Sequence, residues 1–594
     1  MPDAAPRRSP FRNLESFVAE LERTGRLRRI GVPVDPVLEV SEVVQRIIRE
    51  RGPALLFERP IGSSVPLVMN LFGTMDRVEL ALGRHPQAIG AELVETLQRL
   101  NPPSLGALWG ARGFLARARH MRPRLVGSAP SQEVQQTPPQ LTAFPHLQCW
   151  PRDGGRFVTF GPTLTEAPGT RRRNFGLYRL QIFDDTTTAM HWQSMKGGRG
   201  HHWEAERRGE PLPAAVVLGG DPILMLSAIL PLPEDMDELA FAGFLRGAPT
   251  RMVAGKTIPI AVPADADIII EGRVAAGERR MEGPFGDHFG HYSEAAEFPV
   301  FHVTAVTRRP DALYPASVVG KPPQEDKVMG VAVGEMIGPL IRMINPNVVD
   351  LCAFESASFH NLLGVSVKER HPREVLKTAF NLLGTGQLAL TKVMIMVGDQ
   401  VNPRRFGDLL RELWHRFEPE ERLLLLPIAP LDTLDYTSYR MHLGSKLVLD
   451  GTGEPVTDSP PPSIVPPLDG FDSRIAGARM LDGGWLVVQA RNEARSLLER
   501  LVAWEGLGPV RFVVIVSQDV NLEDDTSVMW GIFTRFDPAR DLVAQSQSFI
   551  GARPVYRGRI GIDASWKMGY PVPVEMSDDI VRLVDRRWNE YMGR

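Results

Sequence analysis

The stretch Glu282-Gly-Pro-Phe-Gly-Asp287-His288 places two carboxylates and an imidazole on one short turn, because its glycines and proline leave no helical option. Acids held this way can meet a ligand, so proton transfer is the chemistry they offer. Upstream, Asn174-Phe-Gly-Leu-Tyr-Arg179 adds an amide and a guanidinium on what reads as one edge of a strand. Taken singly, each group has a plainer role: Glu282 and Asp287 as turn caps or solvent-facing acids, Arg179 as a surface ion pair of little energetic value, Asn174 beside Gly176 as a turn former. Together they point to chemistry.

Elements to position these groups follow from periodicity. Phe11, Leu14, Phe17, Val18 and Leu21 recur at helical spacing up to Gly25, and Val40, Val43, Val44, Ile47 and Ile48 mark a second amphipathic helix. Ala54 to Phe57 and Pro66 to Asn70 are short apolar runs of the kind buried strands show. Residues 1–140 therefore predict an N-terminal α+β domain closing on an Arg- and Pro-rich stretch, Arg112 to Pro139. From 141 to 315 the texture changes to short β-rich runs, among them Phe157 to Phe160, Leu177 to Phe183, Ala214 to Leu218 and Ile268 to Glu271, as in a barrel. One helix, near Leu239 to Leu245, interrupts them. Residues 316–456 alternate strand and helix, the pattern of an α/β layer.

An internal repeat runs through the last part. Thr391 to Asn402 matches Val510 to Asn521, and Arg416-Phe-Glu-Pro419 returns at the same displacement as Arg535-Phe-Asp-Pro538. Residues 457–594 thus predict a Pro-rich, extended linker, Asp458-Ser-Pro-Pro-Pro-Ser-Ile464, and a second α/β copy.

With 68 basic and 71 acidic residues, the net charge of −3 supplies no field for nucleic acid or an anionic membrane. Cys149 and Cys352 stand far apart without metal-ligand spacing, so neither a disulfide framework nor a zinc site is supported and a reducing cytoplasm fits best. Neither a signal peptide nor a membrane-spanning run is expected.

Cys149-Trp-Pro-Arg-Asp-Gly-Gly-Arg, Asn174 to Arg179, Glu238 in Asp-Glu-Leu-Ala-Phe-Ala-Gly, and Glu282 to Asp287 come in an order and spacing that closely resemble the UbiD family of decarboxylases. The resemblance continues through Gly320-Lys-Pro-Pro323 and Gly444-Ser-Lys446-Leu-Val-Leu-Asp450. It implies an N-terminal α+β domain, a central split β-barrel like that of flavin reductases, and a C-terminal α/β domain. It also implies prenylated FMN, provided by a flavin prenyltransferase, whose azomethine ylide forms an adduct with an unsaturated or aromatic acid. The implied catalytic set is Arg179, Glu282 and Asp287, with Glu282 as proton donor. Desolvation raises the pKa of such a carboxylate and the guanidinium lowers it.

Asn174 and Glu238 match the positions that hold a divalent ion, manganese or magnesium, with potassium a further candidate. Asn174, Phe175, Arg179 and Lys446 match cofactor-binding positions, Lys446 as a point charge in a Gly-Ser-Lys turn near the phosphate. One residue departs from the pattern. Where the family has His-Trp-Gln-x-His-Lys, this chain reads His191-Trp-Gln-Ser-Met195-Lys196, and a thioether is a poor ligand for a hard cation. His201 or His202 in the following loop could replace it, or the ion is held by fewer ligands or absent. In the second copy Arg559 stands where the first has Lys446, so the first copy is expected at the active site and the second in packing or assembly.

The function expected is a homo-oligomeric, non-oxidative and reversible decarboxylation of an aromatic or α,β-unsaturated acid. A catalytically silent flavin-binding scaffold and ordinary FMN-dependent redox chemistry are the alternatives.

Overall fold

A computed structural model describes residues 11–170, 172–193, 197–232, 236–491 and 494–593. The first helix, Leu14–Arg23, starts where the Asn13 side chain accepts the Ser16 N–H and Ser16 Oγ accepts the Asn13 N–H in return. It buries Leu14, Phe17, Val18 and Leu21, the face its periodicity marks. Beside it lies a four-stranded sheet of Leu27–Ile30, Ala54–Phe57, Leu67–Met69 and, from far along the chain, Tyr314–Pro315.

The largest sheet has seven strands. Its order is Val134–Gln136, Ala296–Arg308, Ile268–Glu282, Leu212–Leu218, Phe157–Glu166 and Arg173–Gln181, with Thr187–Ala189 also paired to Ala296–Arg308. Leu212–Leu218 shows why its sequence is apolar throughout. Leu212, Ala214, Val216 and Leu218 enter one core while Ala215 and Val217 enter another, so both faces are covered. The helix Glu238–Arg246 packs against the outer strand that carries Arg179.

Two five-stranded sheets follow. The first runs Val348–Ala353, Leu362–Val367, Val393–Gly398, Leu443–Gly451, Leu423–Pro430; the second runs Ile475–Leu481, Trp485–Ala490, Phe512–Ser517, Arg553–Ala564, Leu542–Ile550. Both have antiparallel outer pairs around two parallel pairs. They share one core, in which Leu409, Leu413 and Phe417 meet Trp485, Phe512 and Trp530. Residues 452–474 between them form no helix or strand, and Trp414 Nε1 ties this run down by donating to the Ser459 carbonyl at 2.7 Å.

The last helix, Asp578–Met592, returns to the N-terminal domain, where Arg46 meets Asp585 at 2.6 Å and Tyr591 donates to Glu39. Among the described residues no helix is long and apolar enough to cross a membrane.

Candidate active site

Arg179 sits near the end of the strand Arg173–Gln181, and Glu282 is the last residue of Ile268–Glu282. Two short strands, Phe285–Gly286 and Tyr292–Ser293, pair beyond it and present Asp287 on their connecting turn. Arg179 Nε donates to Glu282 Oε1 at 2.8 Å, one terminal nitrogen to Glu282 Oε2 at 3.1 Å and Ser293 Oγ at 3.0 Å, and the other to Asp287 Oδ2 at 2.5 Å. All three ionised side chains are buried, at 9%, 0% and 8% exposure. The Arg179 guanidinium also lies 4.6 Å over the Phe285 ring.

Burial alone would push the Glu282 pKa up, but the Arg179 charge and a hydrogen bond from His191 Nδ1 at 3.2 Å hold it down at about 2. Asp287 is likewise held well below the ordinary carboxylate range, against burial, by His288 and Arg179. His288 Nδ1 lies 2.8 Å from Asp287 Oδ1; burial would lower this imidazole, yet Asp287 lifts it to about 9, with Asp432 and Asp326 adding to the lift. His191 is lowered by burial and by the Arg179 charge, and its ring stacks 4.1 Å from Phe298. The resting site is therefore two carboxylates, a guanidinium, a cationic His288 and a neutral His191.

A second polar group lies at the start of the same strand. Glu238, first residue of its helix, accepts the Phe175 N–H at 2.9 Å, and burial raises its carboxyl to about 7. Asn174 Oδ1 accepts from Tyr178 Oη at 2.9 Å, and Tyr178 Oη accepts the Gly198 N–H at 2.9 Å. Gly198 belongs to the helix Gly197–Arg208, so the segment holding His201 and His202 is helical, not a loop. His201 Nδ1 bonds Thr165 Oγ1 at 2.9 Å, and the His202 ring is buried. Trp192 Nε1, buried beside Tyr178, has no hydrogen-bond partner among the described residues. Met195 lies outside the described residues. Among the described residues no three His, Cys, Asp or Glu side chains gather as a metal site; Asn174 and Glu238 are oxygen donors of the type a hard cation takes.

Family models match most of the chain. The 3-octaprenyl-4-hydroxybenzoate carboxy-lyase N-terminal domain matches 18–97, the Rift-related domain 124–322, and the C-terminal domain 327–451 and 479–564. The chain belongs to the UbiD family. It is 37% identical over 569 residues to a 4-hydroxybenzoate decarboxylase subunit of Chlamydia pneumoniae, covering 95% of each, and 36% identical over 587 residues to an uncharacterized protein of Chlamydia caviae, covering 98% of this chain and 99% of that one. Among solved structures, the UbiD-class enzyme HmfF from Pelotomaculum thermopropionicum, in complex with FMN, matches with a TM-score of 0.64 at 25% identity, over 77% of this chain and 96% of its own.

In this UbiD chain the structure joins Arg179, Glu282 and Asp287 in one cluster and Asn174, Phe175 and Glu238 in another. Lys446 joins neither. It lies inside the strand Leu443–Gly451, not in a turn, and its Nζ donates to the carbonyls of Ala389 and Thr391 at 2.8 and 2.7 Å. Burial lowers its pKa to about 7.

The cluster also contains groups that sequence reading left unassigned: His191, Ser293, and Tyr436 from residues 431–442, whose hydroxyl feels the Asp287 and Arg179 charges. His191 is the first residue of the His-Trp-Gln segment that the family resemblance marks. Nothing local marks Ser293 or Tyr436.

Proposed function

We propose that the protein is a non-oxidative, reversible decarboxylase of an aromatic or α,β-unsaturated carboxylic acid that uses prenylated FMN, with Glu282 as proton donor. The observation that carries this reading is the convergence of one buried guanidinium on Glu282 and Asp287 in a chain of the UbiD family. Residues 141–315 are read as the split barrel, and the two five-stranded sheets as copies of one unit. A cytoplasmic location, self-assembly and a partner flavin prenyltransferase go with the same reading.

When bound, prenylated FMN supplies the electron sink that carbon dioxide release requires. The chain's own residues supply the rest. A substrate carboxylate competes with Glu282 and Asp287 for the charge of Arg179, and its entry displaces water. Both changes raise Glu282 from about 2 toward neutrality, so that it can hold a proton on a carboxyl oxygen. Glu282 then delivers that proton to the carbon that has lost its carboxyl group, and removes it in the reverse direction. His191, with Nδ1 3.2 Å from Glu282 Oε2, is placed to relay a solvent proton to it, taking one up at Nε2 as it gives one from Nδ1. Asp287 keeps Arg179 oriented from the opposite side.

Asn174, the Phe175 backbone and Glu238 are assigned to the cofactor phosphate and a manganese or magnesium ion. Lys446 is assigned to a structural strut, because its ammonium is already bonded to two carbonyls.

The test is reconstitution with prenylated FMN, followed by carbon dioxide release and solvent-deuterium exchange on a panel of aromatic and unsaturated acids. Exchange into at least one acid or its product is expected. Met195, in place of the family's histidine, favours a second reading, a silent flavin-binding scaffold. Binding of prenylated FMN without exchange on any acid would establish that reading instead, and turnover of a nicotinamide on plain FMN would replace both.

A further inference from the structure

The turn that carries Asp287 is too slight to hold itself. Its two strands contribute two residues each, and inside it Asp287 N–H reaches the His291 carbonyl at 3.1 Å and Gly290 N–H the Asp287 carbonyl at 2.8 Å. Short isolated hairpins are marginal in water. Asp153 fixes the entry by accepting the Gly286 N–H at 2.8 Å. The far side, Phe289 to Tyr292, is gripped by residues after 510.

Trp530 Nε1 donates to the Phe289 carbonyl at 2.9 Å, and its ring stacks on His291 with centroids 5.1 Å apart and planes 22° apart. Arg535, fully buried, donates from Nε to His291 Nε2 at 3.2 Å while its two terminal nitrogens bond the Asp519 carboxylate at 2.7 and 2.5 Å. Because Nε2 accepts, the proton of His291 is on Nδ1, which lies 3.1 Å from the Phe289 carbonyl. The backbone is clamped as well: Tyr292 N–H reaches the Val572 carbonyl at 3.1 Å and Val574 N–H the Gly290 carbonyl at 3.0 Å. Gly290 has φ +74°, and a Cβ there would stand 2.4 Å from Trp530 Nε1, so the contact excludes a side chain twice over.

We propose that the second five-stranded unit holds the active-site turn in place: Trp530 and Arg535, with Asp519 fixing Arg535, are positioning residues that keep Asp287 against Arg179. They touch neither the reacting groups nor Arg179. Their effect passes through Phe289, Gly290 and His291.

The experiment uses Trp530→Phe, which keeps a smaller aromatic ring and removes the donor, and Asp519→Asn, which weakens the hold on Arg535 at a carboxylate with 28% of its side-chain surface exposed. Backbone amide exchange in the full-length protein without cofactor is expected to rise about tenfold across 287–292 in both variants, as the loss of one hydrogen bond implies, with the strand Phe512–Ser517 unchanged. If Trp530→Phe fails to fold, Asp519→Asn carries the same readout.

In the reconstituted enzyme, kcat is expected to fall about tenfold with KM within twofold. The kinetic arm rests on the decarboxylase reading; the exchange arm does not, so an inactive wild type would count against that reading alone. Unchanged exchange across 287–292 in both folded variants, or a rise of equal size in 512–517, would overturn the proposal.

Discussion

The two five-stranded sheets share strand order and pairing sense, and even their interior cations coincide. Lys446 bonds the carbonyls of Ala389 and Thr391; Arg559, in register with it, bonds those of Gly508 and Val510 and also of Val502 and Trp504. What differs is how each sheet meets the active site. In the first, residues 431–442 join the last two paired strands and bring Asp432 to His360 at 2.6 Å, Asp435 to Lys392 at 2.8 Å in a fully buried pair, and Tyr436 to the site. In the second, Gly551 and Ala552 alone make the same connection.

The contrast reverses at the helices. Arg416 of the first sheet bonds Glu412 and the Gly453 carbonyl within its own unit, whereas its counterpart Arg535 turns to His291. Equal sheets thus serve unlike ends because the residues at their edges differ, which is how one fold carries different functions.

The comparison can be broken first at its two buried arginines. Arg179→Met leaves two buried carboxylates without their cation and should cost about 3–5 kcal/mol in urea unfolding, with activity below detection. Arg535→Met strands the partly exposed Asp519 and leaves the neutral His291 Nε2 without its donor, and should cost less. Equal losses would mean that the two sites are electrostatically alike. Lys446→Met and Arg559→Met should each destabilise by about 1–3 kcal/mol, since each leaves buried carbonyls unpaired. Flavin affinity should stay unchanged in Lys446→Met; a tenfold weaker flavin with wild-type stability would return Lys446 to the phosphate.

A smaller effect is set by pH. The folded protein raises His288 from an ordinary 6.5 to about 9, so its contribution is complete below pH 6.5 and lost as pH rises through 9. Its side chain keeps 24% of its surface, which moderates the shift. Stability should fall by about 1–2 kcal/mol between pH 6.5 and 9, and His288→Asn should flatten that slope. Smallest of all, Glu420→Gln breaks an exposed pair with Arg557 between the two sheets and should leave the unfolding midpoint unchanged.

The turn at 282–288 and the Arg179 strand were legible because their residues are contiguous and their types unusual, and the first helices because apolar spacing alone places them. Gly197–Arg208 was not. Three glycines and a polar composition argue for a loop, yet Gly198 packs where a Cβ would stand 2.4 Å from the Trp192 ring, and His202 and Ala205 face the interior. Lys446 looked like a turn residue because Gly-Ser precedes it, and only pairing with Leu426 shows it to be a strand. Trp530 and Arg535 could not be connected to Asp287 from sequence, since stacking and hydrogen bonds between distant segments leave no local pattern. The matched segments 391–402 and 510–521 contain the strands Val393–Gly398 and Phe512–Ser517, because apolar strands carry that information locally.

The most direct measurement is solvent-deuterium incorporation by reconstituted wild type and Glu282→Gln. The amide keeps an oxygen for Arg179 but holds no transferable acid proton, so the account predicts incorporation by the wild type and a loss of at least about a hundredfold in the variant at unchanged flavin content. Incorporation at the wild-type rate in Glu282→Gln would show that the proton comes from elsewhere and contradict the role given to this carboxylate.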